Sequence, residues 1–423
     1  MFGKFMNNYY YGKSGKGDYN PEDLPKTRWQ LFWEMLRIRL SALCRLNLIY
    51  VLPWLPTLLV LISLFTDCLT IVNEPYMVDD ILLRLEEGVT LPDGSVQVSD
   101  QEGKTLTYSA VDVESLRVMD AAHEVDNKLM LIAGGNVLED GSVEVLDEEG
   151  GLITFTREEI DALILQDEAD TAMGIPNQAE ALESKIVWSL LLLIPCIFIT
   201  GPWTAGVSYV TRNWARDEHA FIWSDMKDAM KENWKGALVL SAITAVVPVL
   251  VYLCWTFYGE LPTDNVLMGI LLQLGQMIPV MVGIIWYLAV TYAYPMLVTY
   301  EMKITTVIRN SLILAVGRLP LSVGVRLLHC VPAVLGVLGM LMLNSVWVPL
   351  IALMYYVLIG FTLSRFVTAS YTNAQFDRFL NSRIEGAKVN QGLAEEDDDE
   401  EWDDEAEEED REIKPWENGY ADR

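Results

Sequence analysis

Apolar residues in this chain are gathered into long runs separated by short charged stretches. The runs Asn47–Val72, Ile186–Thr200, Gly236–Tyr258, Val266–Thr299, Leu321–Leu343 and Val346–Ser364 carry few or no charged residues. Most are long enough as helices to cross the ~30 Å hydrocarbon core of a bilayer. They predict a mainly α, polytopic membrane protein with six transmembrane helices, the first over 47–72 and the others within 186–382. Pro53 and Pro56 should kink the first span, and Pro195 with Gly201-Pro202 should interrupt the second, the helix resuming through Ala205–Trp214.

Three charged stretches flank these runs with helical periodicity. In Thr27–Leu46 the residues Trp29, Phe32, Trp33, Leu36, Leu40 and Leu43 recur at helical spacing among four arginines, which predicts a helix lying in the headgroup region. Over Trp223–Lys235 a stripe of Trp223, Met226, Met230 and Trp234 is flanked by Lys227, Lys231 and Lys235, with the acids turned away. Tyr300–Arg318 repeats that arrangement. Residues 1–46 thus form a polar lead-in plus interfacial helix.

Glu74–Lys185 has a different pattern. Asp93–Leu116 and Asp140–Leu163 align without gaps at a spacing of 47 residues, and they share ten of 24 positions. Weaker similarity extends upstream to Val78-Asp79 and Val125-Asp126. Each copy shows an Asp-Gly turn, two alternating strands around a second turn, and a helix start. Thr156 with Glu159 reads as a capping box, and Ser109 with Asp112 resembles one. The expectation is one small α+β domain at 74–185, built from both copies.

Charge separates the same pieces. The chain has a net charge of −29 with 52% hydrophobic residues. Glu74–Lys185 holds 27 acidic and six basic residues, and Glu395–Arg423 holds 17 and three. The remainder is therefore basic. An acidic insert and an acidic, aperiodic tail within 383–423 are attached to a basic apolar core, and nucleic acid is an unsuitable partner. Lysine and arginine concentrate at the amino terminus, Thr211–Lys235, Lys303–Arg318 and Arg365–Lys388, and are absent from Gly259–Asn265 and Asn344-Ser345. By the positive-inside rule both termini are cytoplasmic, the insert is extracytoplasmic, and the chain belongs in the cell membrane.

Candidate chemistry is sparse. Cys44, Cys68, Cys196, Cys254 and Cys330 lie in or beside apolar runs without paired spacing, and His123, His219 and His329 are far apart. No nucleophile–base set, phosphate loop or metal-ligand spacing is seen, so neither an enzyme nor a resident cofactor is expected. The polar residues expected at membrane depth are Gln273 and Gln276, on one helix face, with Asp67 and Arg326 near span ends.

Leu46-Asn47-Leu48, together with Gly201, Pro202, Ala205, Tyr209, Arg212, Arg216, Asp217 and Trp234, resembles the YesL-like family of bacterial integral membrane proteins, found mostly in Gram-positive bacteria. The resemblance covers about Arg45–Leu64 and Ile186–Leu240, and the insert lies outside it. It implies a domain of unknown function whose members are labelled permease components or companions of carbohydrate uptake. Gly201, Pro202, Arg212, Arg216, Asp217 and Trp234 are then the expected contacts with a partner in a transport complex. The leading expectation is an accessory or scaffold subunit. A transporter or channel using the broken second span and the two glutamines is the alternative, as is an envelope sensor reading through the insert.

Overall fold

The computed structural model describes residues 25–99, 104–138, 140–146, 151–175, 177–263, 265–343, 345, 347–384 and 386–393. The polar lead-in before Pro25 and the acidic tail from Glu395 lie outside the described residues.

The first helix, α1 (Arg28–Glu86), is opened by a complete capping box between Thr27 and Gln30 and contains Pro53, Pro56 and Pro75. It corrects the sequence reading, which separated a headgroup-region helix ending at Leu46, a span over 47–72 and an insert beginning at Glu74. One helix covers all three. The reason is a second stripe, in phase across the supposed boundary: Leu31, Met35, Leu43, Leu46 and Tyr50 are all buried. They pack with residues of the fourth and last helices, whereas Trp29 and Trp33 of the expected stripe point outward at 68% and 51% exposure.

The insert follows as β1 (Val89–Thr90), β2 (Val96–Ser99), β3 (Thr105–Tyr108), α2 (Ala110–Ala133), β4 (Asn136–Val137), β5 (Val143–Leu146), β6 (Leu152–Phe155) and α3 (Arg157–Ala172). The strands make two separate antiparallel sheets, β1-β2-β3 and β4-β5-β6. Registers coincide at the 47-residue offset, with Val96 opposite Tyr108 and Val143 opposite Phe155. In both copies the aspartate of Asp-Gly-Ser accepts from the serine two residues on. Asp93 takes Ser95 N–H at 3.1 Å and its hydroxyl at 2.6 Å, and Asp140 takes Ser142 N–H at 3.0 Å and its hydroxyl at 2.5 Å. Both capping boxes are formed.

Each unit also has a short strand beyond the two expected. Gly88 and Gly135 admit it: a side-chain carbon there would come within 2.9 Å of the Gln97 carbonyl or 2.8 Å of the Glu144 carbonyl. The first sheet is sandwiched between the end of α1 and the start of α2, burying Leu85, Val96, Val98 and Val113. Helix α2 then packs on β5 and α3. It closes one unit and opens the next, so the copies stack in tandem, each on its own sheet. Val78 of α1 and Val125 of α2, both buried, are the equivalent positions that extend the sequence match upstream.

The rest is helical: α4 (Gln178–Trp214), α5 (Ser224–Gly259), α6 (Val266–Leu297), α7 (Ile304–Gly317), α8 (Leu319–Leu343), α9 (Trp347–Tyr355), a π-helical turn (Tyr356–Gly360) and α10 (Phe361–Phe379). Six helices among the described residues are long and apolar enough to cross a membrane. Their outer surfaces are apolar, as with Leu271, Met281 and Val282 of α6, at 53%, 60% and 57% exposure. Such faces suit lipid as solvent. Buried residues concentrate towards one end of the bundle, around Trp214, Tyr292, Met296 and Phe376.

The insert's turn and cap carboxylates give it an acid limit. Hydrogen bonds from Ser95, Ser109, Ser142 and Thr156 hold Asp93, Asp112, Asp140 and Glu159 below the usual carboxylate range. A depressed folded pKa contributes stability that is present above the unfolded value, near 4, and is lost as pH falls through the folded value. Asp126, pushed up by burial against a hydrogen bond from Gln178 N–H, acts with the opposite sign. Amide exchange between pH 6 and pH 3, corrected for intrinsic rates, should show both sheets losing protection below about pH 4. Asp93→Asn with Asp140→Asn should flatten that dependence.

Candidate functional site

The joint between α4 and α5 begins with a proline in the interior of a helix. Pro202 has no N–H, so the carbonyl four residues back, on Phe198, loses its helical partner. The hydroxyl of Ser241 on α5 donates to that carbonyl at 2.8 Å. It can do so because residue 201 is glycine. A side-chain carbon at Gly201 would collide with the Ser241 hydroxyl and lie 2.5 Å from the Ala237 carbonyl. The expected interruption at Gly201-Pro202 is therefore absent: α4 is continuous, and the pair admits and binds a neighbouring helix.

Towards its end α4 meets the rest of the bundle. Tyr50 of α1 and Thr204 share a buried hydrogen bond of 2.9 Å. The Arg212 guanidinium donates to the Val298 carbonyl at 2.8 Å, just beyond α6, and to Asn213 Oδ1 at 2.6 Å, and it lies 4.8 Å from the Tyr209 ring. It is placed where a cation complements the carbonyl end of a helix. Asn373 of α10 reaches the Arg212 carbonyl at 3.3 Å.

Asp217 takes φ of 59°, the left-handed position usually held by glycine. Glu218 N–H bonds the Asn213 carbonyl at 2.8 Å and Asp217 N–H bonds that of Trp214 at 3.3 Å, the pattern of a Schellman ending. Burial pushes the Asp217 carboxyl up and Arg39 opposes it. Arg216 stands beside it, its Nη2 buried without a hydrogen-bond partner among the described residues. Its charge reaches Tyr300, whose hydroxyl is pushed up to about 12 by burial, with Arg216 opposing.

Two connections complete this end of the bundle. Asp377 of α10, 5% exposed, is paired with Arg28 at the start of α1 and accepts from Asn381 at 2.6 Å. Tyr300 donates to Asn381 at 2.7 Å. Deeper in, Asn47 of α1 donates to the carbonyls of Tyr356 and Val357 at 2.8 and 2.7 Å and accepts from Thr362 N–H at 2.9 Å. The π turn frees those carbonyls, and one buried amide satisfies them.

Of the expected site residues, Gly201, Pro202, Arg212, Arg216 and Asp217 are brought to this joint along one helix and its ending. Trp234 is not. It stays 48% exposed with Lys235 Nζ 5.6 Å from its ring, while Met226 of the same stripe is fully buried beneath α4. Gln273 and Gln276 share no lining: Gln276 donates to the Trp255 carbonyl at 3.1 Å, in the last turn of α5, and Gln273 is exposed. Asp67 pairs with Lys185 at 3.5 Å. All five cysteines are unbridged. Composition alone does not mark Asn47, Asp377 and Asn381 as structural. The signal for Asn47 is a lone amide at the head of an apolar run.

Residues 184–254 match the family described as "Protein of unknown function, DUF624". The chain contains a DUF624 domain. No curated protein and no solved structure matches the chain. The DUF624 segment runs along α4 from Ser184 and most of α5, so it contains the Gly201–Pro202–Ser241 lock, Arg212 and the Asp217 ending. Asn47, Gln273, Gln276 and the tandem insert fall outside it. Polar side chains of the DUF624 segment join its two helices to their neighbours.

The lock can be tested by unfolding the purified chain. Ser241→Ala leaves the Phe198 carbonyl without a partner and should destabilise by about 1–3 kcal/mol. Gly201→Val should prevent close approach and be more severe. Asp217→Gly should be tolerated, since glycine takes φ > 0 freely, whereas Asp217→Val should lower the melting temperature by several degrees.

Proposed function

We propose that this chain is a six-span cell-membrane protein that serves as an accessory or scaffold subunit for another membrane protein. Following the YesL-like resemblance, the setting is a carbohydrate transport system. The observation that carries the reading is the use made of the polar residues in the DUF624 segment. Pro202 with Ser241, and Arg212 with Val298, hold helices together, while aromatic side chains of the same segment are left outward. Phe221, Trp223 and Trp234 are 62%, 55% and 48% exposed, within or beside a stretch rich in lysine. Exposed aromatics next to cations fit an interface with a neighbour in the headgroup region.

Contacts between helix ends support the orientation. Arg28–Asp377, Arg212–Val298 and Arg318–Gln375 gather the basic ends at one side of the bundle. Lys185–Asp67, Tyr252–Glu183 and Gln276–Trp255 join the opposite ends, from which the acidic insert leaves. The positive-inside rule then puts the joint and both chain ends in the cytoplasm, with the insert outside.

A photoreactive residue at position 221 or 223, used in intact cells, should give a discrete adduct with a transport subunit identified by mass spectrometry. With the photoreactive residue at 221, Trp223→Ser with Trp234→Ser should remove at least about 90% of it, as expected for loss of aromatic anchors worth ~1.4 kcal/mol or more, with membrane levels unchanged. Lipid adducts alone would contradict the reading.

A further inference from the structure

Helix α8 carries a second polar group, unrelated to the DUF624 joint. Arg326, His329 and Cys330 occupy i, i+3 and i+4 on one face, and Arg326 lies about 10 Å along the helix from Leu319. Tyr287 of α6 faces this cluster, and about two turns further along α6 Tyr294 packs under Arg365 of α10. The Arg326 guanidinium carbon is 4.3 Å from the Tyr287 ring centroid, and that of Arg365 is 5.7 Å from the Tyr294 ring centroid. The Tyr287 hydroxyl contacts Cys330 Sγ at 3.9 Å, and Tyr356 donates to the His329 carbonyl at 3.1 Å.

Nε and Nη2 of Arg326 and both ring nitrogens of His329 are buried and make no hydrogen bond of good geometry among the described residues, although the Tyr287 hydroxyl lies near the guanidinium and the Ser364 backbone near the imidazole. Arg365 is close enough for its charge to act on Arg326 and His329 alike. No carboxylate among the described residues balances them. Helix α6 has no charged residue and α8 none beyond Arg326 and His329. Asp377 on α10 is about three turns past Arg365 and already paired with Arg28. A tyrosine face attracts a guanidinium but cannot neutralise it. Two cations sharing an apolar surrounding repel each other and are costly to bury without a counter-charge.

We propose that Arg326, Arg365 and His329 form a binding site for a phosphate-bearing anion, set among α6, α8 and α10. Guanidinium forks match phosphate oxygens in pairs, and the imidazole supplies one further N–H donor. The anion is the headgroup of an anionic phospholipid or a soluble phosphorylated molecule. Entry from the cytoplasmic leaflet rests on the orientation given above; the site itself does not.

The test uses the full-length protein in mild detergent, titrated with phosphatidylglycerol, phosphatidylcholine or inorganic phosphate. Native mass spectrometry counts bound lipid, and the melting temperature reports all three. Phosphatidylglycerol should bind saturably and raise the melting temperature. Arg326→Gln and Arg365→Gln should each weaken it about tenfold or more, with Arg326→Lys restoring part and Lys231→Gln changing nothing. Competition by inorganic phosphate identifies a soluble ligand, and its absence identifies the lipid. The proposal is overturned if neither anion binds saturably, if Arg365→Gln binds as well as the unaltered chain, or if Lys231→Gln loses as much. Labelling of a cysteine placed at exposed Lys231 from each side of the membrane reports on orientation separately.

Discussion

A helix that loses one backbone hydrogen bond in an apolar surrounding must recover it from somewhere. Phe198 states that constraint in this chain: Pro202 removes its partner, and the repair comes from Ser241, a residue of the next helix. Gly201 is required because the repair demands close approach. Once α4 and α5 are fixed in that way, Tyr50 can meet Thr204 and Arg212 can reach Val298, and the first and sixth helices are drawn to the same end. The α1–α10 contact through Asn47 follows the same logic, with a π turn in place of a proline.

The molecule therefore has two kinds of polar group at depth. One kind, including Ser241, Arg212 and Asn47, reaches backbone carbonyls of another element and acts as a fastener. Arg326 and His329 are different, since their buried nitrogens lie within reach of the Arg365 charge and no carboxylate among the described residues balances them. The first kind explains why the Gly-Pro pair lies inside an unbroken helix. The second is where a ligand belongs.

Local features of the chain were legible in its sequence. The 47-residue offset predicted two copies with matching turns and caps, and the Asp-Gly-Ser turns and capping boxes form as their residues dictate, because each involves groups within three positions of one another. Six long apolar helices were likewise readable from composition. Features decided by distant partners were not. Pro202 reads as a break unless Ser241 is known to sit on Phe198. Asn47 reads as an ordinary polar residue unless carbonyls 309 and 310 positions away are known to be waiting. Helix α1 reads as three pieces until its buried stripe from Leu31 to Tyr50 is seen to have partners. The tandem stacking was missed for a related reason: α2 serves two units, and a repeat counted from strands hides a shared helix.

The claim that buried polar groups fasten this bundle is tested most directly at Asn47. Unfolding in lipid nanodiscs would be followed for the unaltered chain, for Asn47→Leu, for Thr362→Val, and for the double variant. The Asn47 contact is made by the Thr362 N–H, which Thr362→Val keeps, whereas the hydroxyl lost in that variant donates to the Leu43 carbonyl at 2.9 Å, one turn from Asn47, so both bonds depend on the same approach of α1 and α10. Strong coupling is therefore expected: each single change destabilises, and the double change costs less than the two together by about 0.5 kcal/mol or more. Strict additivity, or an Asn47→Leu variant as stable as the unaltered chain, would contradict the account.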